Sequence, residues 1–79
     1  MKIQGKVIVV TGGASGLGAA TATYLVSQGA TVIMVDMNQE LGEELQRRLG
    51  DQTEFMQLDV TNDVAAEAFF QHVERKYGQ

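Results

Sequence analysis

Three glycines at fixed spacing form the most informative motif in this sequence. The string TGGASGLG at residues 11–18 places Gly12, Gly16 and Gly18 between an apolar run and a helical pattern. Gly12 permits a tight turn, Gly16 lets the backbone approach a ligand without an intervening Cβ, and Gly18 lets a helix pack close to a strand. A helix that begins here directs free N–H groups at an anion. The motif predicts a pyrophosphate site, and a purely structural turn is the alternative.

Two acidic positions follow the next apolar runs. Asp36 stands 18 residues after Gly18, where its carboxylate could accept both ribose hydroxyls of an adenosine; a solvated acid is the alternative. Asp59 and Val60 are predicted to end the third run, where Asp59 could bind an adenine amino group and Val60 could pack on the ring. From position alone, an alternative in which Asp59 only starts the next helix is equally supported.

The elements that must position these residues alternate along the chain. Apolar runs at 7–10, 31–36 and 53–59 predict strands, and the continuous β-branched first run is typical of a strand covered on both faces. Helical spacing predicts three helices, the second near Asn38 and the third near Thr61. Their predicted buried faces are Leu17, Ala20, Thr21, Tyr24 and Leu25; Leu41, Leu45 and Leu49; and Val64, Ala68, Phe69, His72 and Val73.

The order β-α-β-α-β-α predicts an α/β fold with right-handed crossovers and a parallel sheet. We expect residues 1–79 to form the N-terminal half of a Rossmann doubly wound sheet, an incomplete domain with strand order 3-2-1. The first strand is normally central in such a sheet, so its open, Val- and Ile-rich edge predicts cover from another chain, hence a homo-oligomer, or from further polypeptide.

Composition excludes several function classes. The net charge of −4 and the pI of about 4.7 argue against nucleic-acid binding, which needs a basic face. No apolar run approaches the roughly 18–20 residues of a membrane span. The chain has no Cys and one His, so neither a disulfide nor a metal site is expected, and His72 is assigned to packing or to the surface. A cytoplasmic location is the expectation.

The glycine string, Asp36 and the Asp59-Val60 pair together resemble the short-chain dehydrogenase/reductase family. The string at 11–18 and the segment LVSQGA at 25–30 are similar to 3-hydroxyacyl-CoA dehydrogenases of the mitochondrial type-two kind and their bacterial relatives. The resemblance implies an oxidoreductase that uses NAD and acts on a small-molecule hydroxyl or keto substrate, with 3-hydroxyacyl-CoA as one candidate.

The resemblance also implies roles for individual residues. Ser15 and the backbone of Leu17 would contact the pyrophosphate, and Thr11 would orient the turn from the strand side. Asp36 would hold the ribose, and Asp59 with Val60 would hold the adenine. NAD is favoured over NADP because Ser15 and Met37 occupy positions where NADP-preferring relatives carry a basic residue.

The family's catalytic pair is not present in these 79 residues. Tyr24 has Gln28 four places later and Tyr77 is followed by only two residues, so no Tyr-x-x-x-Lys pair could transfer a proton. We therefore expect the chain by itself to be inactive. The alternatives are a non-catalytic nucleotide-binding module and a site for S-adenosylmethionine, which lacks the pyrophosphate that three spaced glycines suit.

Overall fold

The computed structural model describes residues 2–78, which form three strands and three helices in strict alternation. The elements are β1 (Val7–Thr11), α1 (Gly16–Ser27), β2 (Thr31–Asp36), α2 (Gln39–Leu49), β3 (Thr53–Gln57) and α3 (Asp63–Tyr77). β3 is shorter than predicted, because it ends two residues before Asp59. The third helix begins at Asp63 instead of near Thr61, after the N-cap residue Asn62.

The three strands form one parallel sheet with β2 in the middle. Val7 pairs with Thr31 and Thr11 with Val35, while Asp36 pairs with Gln57, so the carboxyl ends of the strands meet at one edge. The predicted strand order 3-2-1 and the parallel arrangement are confirmed. The short connections between the elements explain why sequential strands become neighbours here.

Two apolar layers cover the sheet, as a doubly wound fold requires. Val32 and Met34 of β2 face α1 and α2, where they pack with Ala22 and Leu45. Alternate β2 residues, Ile33 and Val35, face α3 and pack with Phe69 and Val73. The side chains from Val32 to Val35 are the most fully buried large side chains among residues 2–78. This double cover explains the continuous apolar run of β2.

The first strand is less buried than its sequence predicts. Residues Val7 to Val10 are only partly buried, and β1 lies at the edge of the three-stranded sheet that residues 2–78 form. Within residues 2–78, the side of β1 that faces away from β2 therefore presents backbone N–H and C=O groups that no neighbouring strand pairs. Association through this edge stays a prediction.

Of the predicted buried face of α1 only Leu25 packs against the core, and the rest of the prediction is wrong. Leu17 is 84% exposed, and Ala20, Thr21 and Tyr24 are also exposed. The buried side is formed by Ala22, with help from the partly buried Ala19, Leu25 and Val26. Gly, Ala and Thr residues occupy every face of α1, so the spacing of its apolar residues does not distinguish a buried face from an exposed one. The face that can approach the sheet most closely is the one that packs.

The faces of α2 and α3 are predicted better. Leu45 is buried and Leu49 is half-buried, but Leu41 at the start of α2 is partly exposed. On α3, Phe69 and Val73 are buried as predicted, whereas Val64 is 80% exposed and Ala68 is exposed. Leu41 and Val64 lie in the first turns of their helices, whereas Ala68 lies in the second turn of α3.

A polar cluster attaches the end of α3 to the edge strand β3. Its centre is Glu54, whose Oε1 lies 3.0 Å from His72 Nε2 and 3.5 Å from Lys76 Nζ. The Tyr77 hydroxyl donates a hydrogen bond to Glu54 Oε2 at 2.8 Å. Burial alone raises the pKa of Glu54, but the hydrogen bonds from Tyr77 and His72 and the Lys76 charge outweigh it, so the pKa is lowered. His72 thus has a polar partner that its own helix does not reveal.

Glu54→Gln should lower the free energy of unfolding by about 1–2 kcal/mol near neutral pH, because the charged acceptor of several hydrogen bonds is lost. The folded-state pKa lies below the ordinary 4.5, so the wild-type contribution is present above 4.5 and is lost as the pH falls through the folded pKa. Urea unfolding at about pH 7 and about pH 3.5 checks this, since the difference between the two proteins should shrink in acid. Glu67→Gln, on an exposed part of α3, is the control. A difference that is equal at both pH values would contradict the charge-based account.

Candidate functional site

The turn between β1 and α1 has a backbone that needs glycine. Gly12 and Gly16 adopt positive φ angles of 64° and 54°, which residues with a Cβ rarely adopt. A Cβ on Gly18 would overlap the carbonyl oxygen of Gly12 and lie 3.0 Å from the Gly13 Cα. The first glycine therefore makes the turn, as assigned from the sequence, whereas the third lets α1 approach the turn backbone at Gly12 and Gly13 and not a strand.

Gly13 also has a structural role, which the sequence analysis did not assign. It is buried, and a Cβ there would lie 2.9 Å from the Val10 carbonyl oxygen and 3.1 Å from the Met34 Cβ. Its N–H donates to the carbonyl oxygen of Val35 at 3.1 Å. Gly13 thus seats the turn directly on the carboxyl ends of β1 and β2. The second glycine of the consecutive pair was the available sequence signal.

The N-terminus of α1 presents hydrogen-bond donors. Within residues 2–78 the structure gives no partner to the N–H groups of Gly16, Leu17 and Gly18, as is usual for the first turn of a helix. Ser15 is the N-cap residue, yet its side chain makes no capping hydrogen bond. The other two helices differ, because Asn38 accepts from Leu41 N and Asn62 accepts from Ala65 N. The hydroxyl of Ser15 and three N–H groups are thus available to an anion.

Asp36 lies at the tip of β2, beside this turn. Its Oδ2 accepts from the Ala14 N–H at 3.1 Å and its Oδ1 accepts from the Asn38 N–H at 2.9 Å. The carboxylate therefore joins the β1–α1 turn to the β2–α2 loop. Because an ionised carboxylate has about four lone-pair sites, each oxygen can still accept from a hydroxyl. Thr11, at the tip of β1, pairs with Val35 on the same edge of the sheet.

Asp59 follows β3 and is held within its own loop. Its Oδ1 accepts from the Thr61 hydroxyl at 2.6 Å and from the Thr61 N–H at 2.9 Å. These two hydrogen bonds lower the pKa of Asp59. The prediction that Asp59 and Val60 end the strand is wrong, because Leu58 separates them from Gln57 and the loop has already begun. The other oxygen, Oδ2, has no partner within residues 2–78.

Asp59 and Val60 line different cavities. Asp59 borders a cavity of about 290 Å³ between the β2–α2 and β3–α3 loops, lined by Met37, Gln57, Leu58, Asp59, Asn62 and Ala65. Val60 borders an apolar groove of about 250 Å³ that includes Phe69 and Phe70. The structure thus brings Asp59 to a cavity beside β2, and it does not place Val60 in that cavity.

Gln57 is a further residue at this edge that sequence reasoning missed. Its Nε2 donates to the Met37 carbonyl oxygen at 3.1 Å, and Leu58 N–H donates to the Asp36 carbonyl oxygen at 3.1 Å. These two contacts fix the β2–α2 loop against the end of β3. A polar residue at a strand tip is common, so the sequence carried no signal for this contact.

The edge of the sheet therefore combines features that suit one kind of ligand. Free N–H groups and the Ser15 hydroxyl suit phosphate oxygens, the Asp36 carboxylate suits vicinal hydroxyls, and a cavity follows toward β3. Among residues 2–78 no group of three metal-ligating side chains comes together. In the same part of the chain, no helix has the length and apolar character needed to cross a bilayer.

Comparison with known proteins matches this chain to a family model and to several similar proteins. A family model described as short chain dehydrogenase matches residues 6–79. The 3-hydroxyacyl-CoA dehydrogenase type-2 of Drosophila melanogaster is 44% identical over 77 residues, which cover 98% of this chain and 30% of the fly protein. Its Bos taurus counterpart is 40% identical over 77 residues, with the same coverage. Momilactone A synthase of Oryza sativa subsp. japonica is 43% identical over 79 residues, covering 99% of this chain and 29% of that protein.

Solved structures agree with the sequence relatives. A short chain dehydrogenase from Bacillus anthracis superposes with a TM-score of 0.92 at 28% identity, covering 100% of this chain and 33% of that one. A 3-ketoacyl-(acyl-carrier-protein) reductase from Brucella melitensis, complexed with NADH, superposes with a TM-score of 0.91 at 27% identity. The match covers 98% of this chain and 32% of the reductase chain.

The chain therefore spans about a third of the length of the proteins it matches. The resemblance inferred from the glycine string and the strand-tip acids is confirmed, since the family model matches from Lys6 onward and the sheet superposes on solved members. This chain belongs to the short-chain dehydrogenase family of oxidoreductases, and it carries that family's Rossmann-type nucleotide-binding fold.

Proposed function

We propose that this chain binds NAD through the edge formed by the β1–α1 turn and the tips of β2 and β3. The observation that carries the proposal is the N-terminus of α1, where Ser15 leaves its own helix uncapped and three backbone N–H groups have no partner among residues 2–78. Donors in this arrangement fit a pyrophosphate, and the partial positive charge of the helix end adds attraction.

In this proposal each residue of the site either contacts one part of NAD or shapes the turn. Ser15, Gly16 and the backbone of Leu17 bind the pyrophosphate, while Gly12 and Gly18 give the turn its shape. Asp36 accepts from the adenosine ribose hydroxyls, and Thr11 supports the turn from β1. Asp59 accepts from the adenine amino group through its free Oδ2, and Val60 packs on the ring once the β3–α3 loop adjusts.

NAD bound there would accept a hydride from a hydroxyl substrate, and its reduced form would donate one to a keto substrate. A 3-hydroxyacyl-CoA substrate is proposed because two of the relatives carry that activity in their names. The 79 residues hold no Tyr-x-x-x-Lys pair for proton transfer, so we propose that they bind the cofactor without turning over a substrate. NAD as the preferred cofactor, self-association and a cytoplasmic location are further parts of this proposal. A nucleotide-binding module without catalysis is the alternative.

Calorimetric titration of the chain with NAD tests the proposal. Ser15→Ala should weaken NAD binding about tenfold, because a hydrogen bond to a charged phosphate is lost. Ser27→Ala is the matched control, since Ser27 lies at the other end of α1 and its hydroxyl donates only to the Tyr24 carbonyl oxygen. We expect its affinity for NAD to equal that of the wild type.

Two outcomes would reject the proposal. One is a folded wild-type chain that does not bind NAD at millimolar concentration. The other is binding of S-adenosylmethionine as tight as that of NAD, because the methyl donor has a ribose for Asp36 but no pyrophosphate for Ser15. Equal weakening by Ser15→Ala and Ser27→Ala would assign the effect to α1 stability instead of to a phosphate contact.

A further inference from the structure

We propose that Asp36 is also the positioning residue of the phosphate-binding turn, so that one carboxylate organises both halves of the nucleotide site. The part of this inference that concerns ligands rests on the proposed function. The part that concerns the turn rests on the hydrogen bond from Ala14 N–H to Asp36 Oδ2 at 3.1 Å, which joins residues 22 positions apart.

Ala14 has no alternative partner for its N–H in this environment. The residue is only 6% exposed, and within residues 2–78 the Asp36 carboxylate is the one acceptor given to that N–H. A buried N–H without an acceptor is costly, so the turn gains stability only when the carboxylate is in place. The neighbouring Gly13 N–H donates to the Val35 carbonyl oxygen, so two consecutive donors of the turn bind the tip of β2.

These two contacts set the direction in which the chain enters α1. Ser15 follows Ala14 directly, and the unpartnered N–H groups of Gly16, Leu17 and Gly18 come next. If Ala14 moves, the donors that would surround a phosphate move with it. The second carboxylate oxygen, Oδ1, accepts from Asn38 N–H at 2.9 Å, which holds the Asp36 side chain in the orientation that reaches Ala14.

Asp36→Asn separates the positioning role from the size of the side chain. An amide has one acceptor oxygen and one NH₂ group, and the NH₂ group cannot accept from a second N–H. The single acceptor oxygen serves one of the two donors, and we expect it to stay with Asn38, which is two residues away and at the shorter 2.9 Å, so that Ala14 loses its acceptor. Asp51→Asn is the matched control, because Asp51 is an exposed acid in the α2–β3 loop and the same single charge is removed.

Amide hydrogen exchange in the free chain tests the turn without any ligand. We expect Ala14 and Gly13 amides to exchange about tenfold faster or more in Asp36→Asn, while amides of Val32 to Met34 and all amides of Asp51→Asn keep wild-type rates. An unchanged Ala14 rate would overturn the proposal, as would equal acceleration throughout β2. If Asp36→Asn does not fold, a scalar coupling across the hydrogen bond from Ala14 N to the Asp36 carboxyl carbon in the wild type decides, and its absence overturns the proposal.

Inorganic pyrophosphate then distinguishes positioning from ribose binding. If Asp36 only accepted from ribose hydroxyls, Asp36→Asn would bind pyrophosphate as well as the wild type or better, because a negative charge near the anion is removed. A positioning role predicts the opposite sign, with about three- to tenfold weaker binding of pyrophosphate as well as of adenosine. Tighter pyrophosphate binding would overturn the inference. If the wild type binds neither NAD nor pyrophosphate, the proposed function fails, and the exchange rates alone decide the role of Asp36 in the turn.

Discussion

Gly18→Ala should destabilise the chain by about 3 kcal/mol and weaken NAD binding at least tenfold. The added Cβ would overlap the carbonyl oxygen of Gly12 and come within 3.0 Å of the Gly13 Cα. Both are backbone atoms, so no change of side-chain rotamer can relieve the overlap. The turn must move away from α1, which shifts the N–H groups that we assign to the pyrophosphate. Urea unfolding and calorimetric titration with NAD measure the two effects.

Gly42→Ala is the control that separates stability from binding. Its added Cβ would overlap the Phe55 ring, which is a side chain that can shift, and the nearest atoms to that Cβ belong to β3 and not to the glycine turn. We expect a loss of stability, but NAD affinity within about twofold of the wild type, a difference below about 0.5 kcal/mol. If Gly18→Ala binds NAD as tightly as Gly42→Ala does, the close approach at Gly18 has no part in the site.

Asp36 should make the chain prefer NAD over NADP by a factor of roughly 5 to 1000. In the proposed site the 2′-phosphate of NADP would meet the Asp36 carboxylate, and two such charges about 4 Å apart repel by about 1–4 kcal/mol. The carboxylate's hydrogen bonds to the ribose hydroxyls would also be lost. Ser15 and Met37, the positions where a neutralising cation would be expected, are uncharged.

Titration with both cofactors measures this preference. Asp36→Ala should reduce the preference for NAD, because the ribose hydroxyls of NAD lose their hydrogen-bond acceptor and the 2′-phosphate of NADP is no longer repelled. Asp51→Ala removes an equivalent charge from the α2–β3 loop and should leave the preference as it is. Unchanged affinities in Asp36→Ala, or tighter binding of NADP by the wild type, would show that Asp36 does not contact the ribose.

One sequence expectation about cations changes with the structure. By helix periodicity Arg47 and Arg48 lie about three turns beyond Asp36, which suggests that both are remote from the site. In the fold, Arg48 borders a cavity of about 100 Å³ together with Ala14 of the glycine turn and Glu44. Glu44, of opposite charge, borders the same cavity, and the expected preference for NAD still rests on Asp36.

The sequence by itself determined the order of elements and the parallel sheet, and it predicted the place of the candidate site. These features depend on local chemistry: β-branched runs form strands, Asn38 and Asn62 cap helices, and Gly12 and Gly16 take positive φ. Connection rules then bring the carboxyl ends of the strands together, which places Thr11 and Asp36 at the same edge of the sheet.

The tertiary structure alone decided which surfaces meet. Nothing in the periodicity of α1 separates Ala22, which is buried, from Ala20, which is exposed, because the choice depends on how closely the helix approaches β2. The partners of Asp36 at Ala14 and of Glu54 at His72 and Tyr77 are likewise residues 18 to 23 positions away in the chain. Such contacts join elements that only the packed fold places side by side, so their energies have no signature in local sequence.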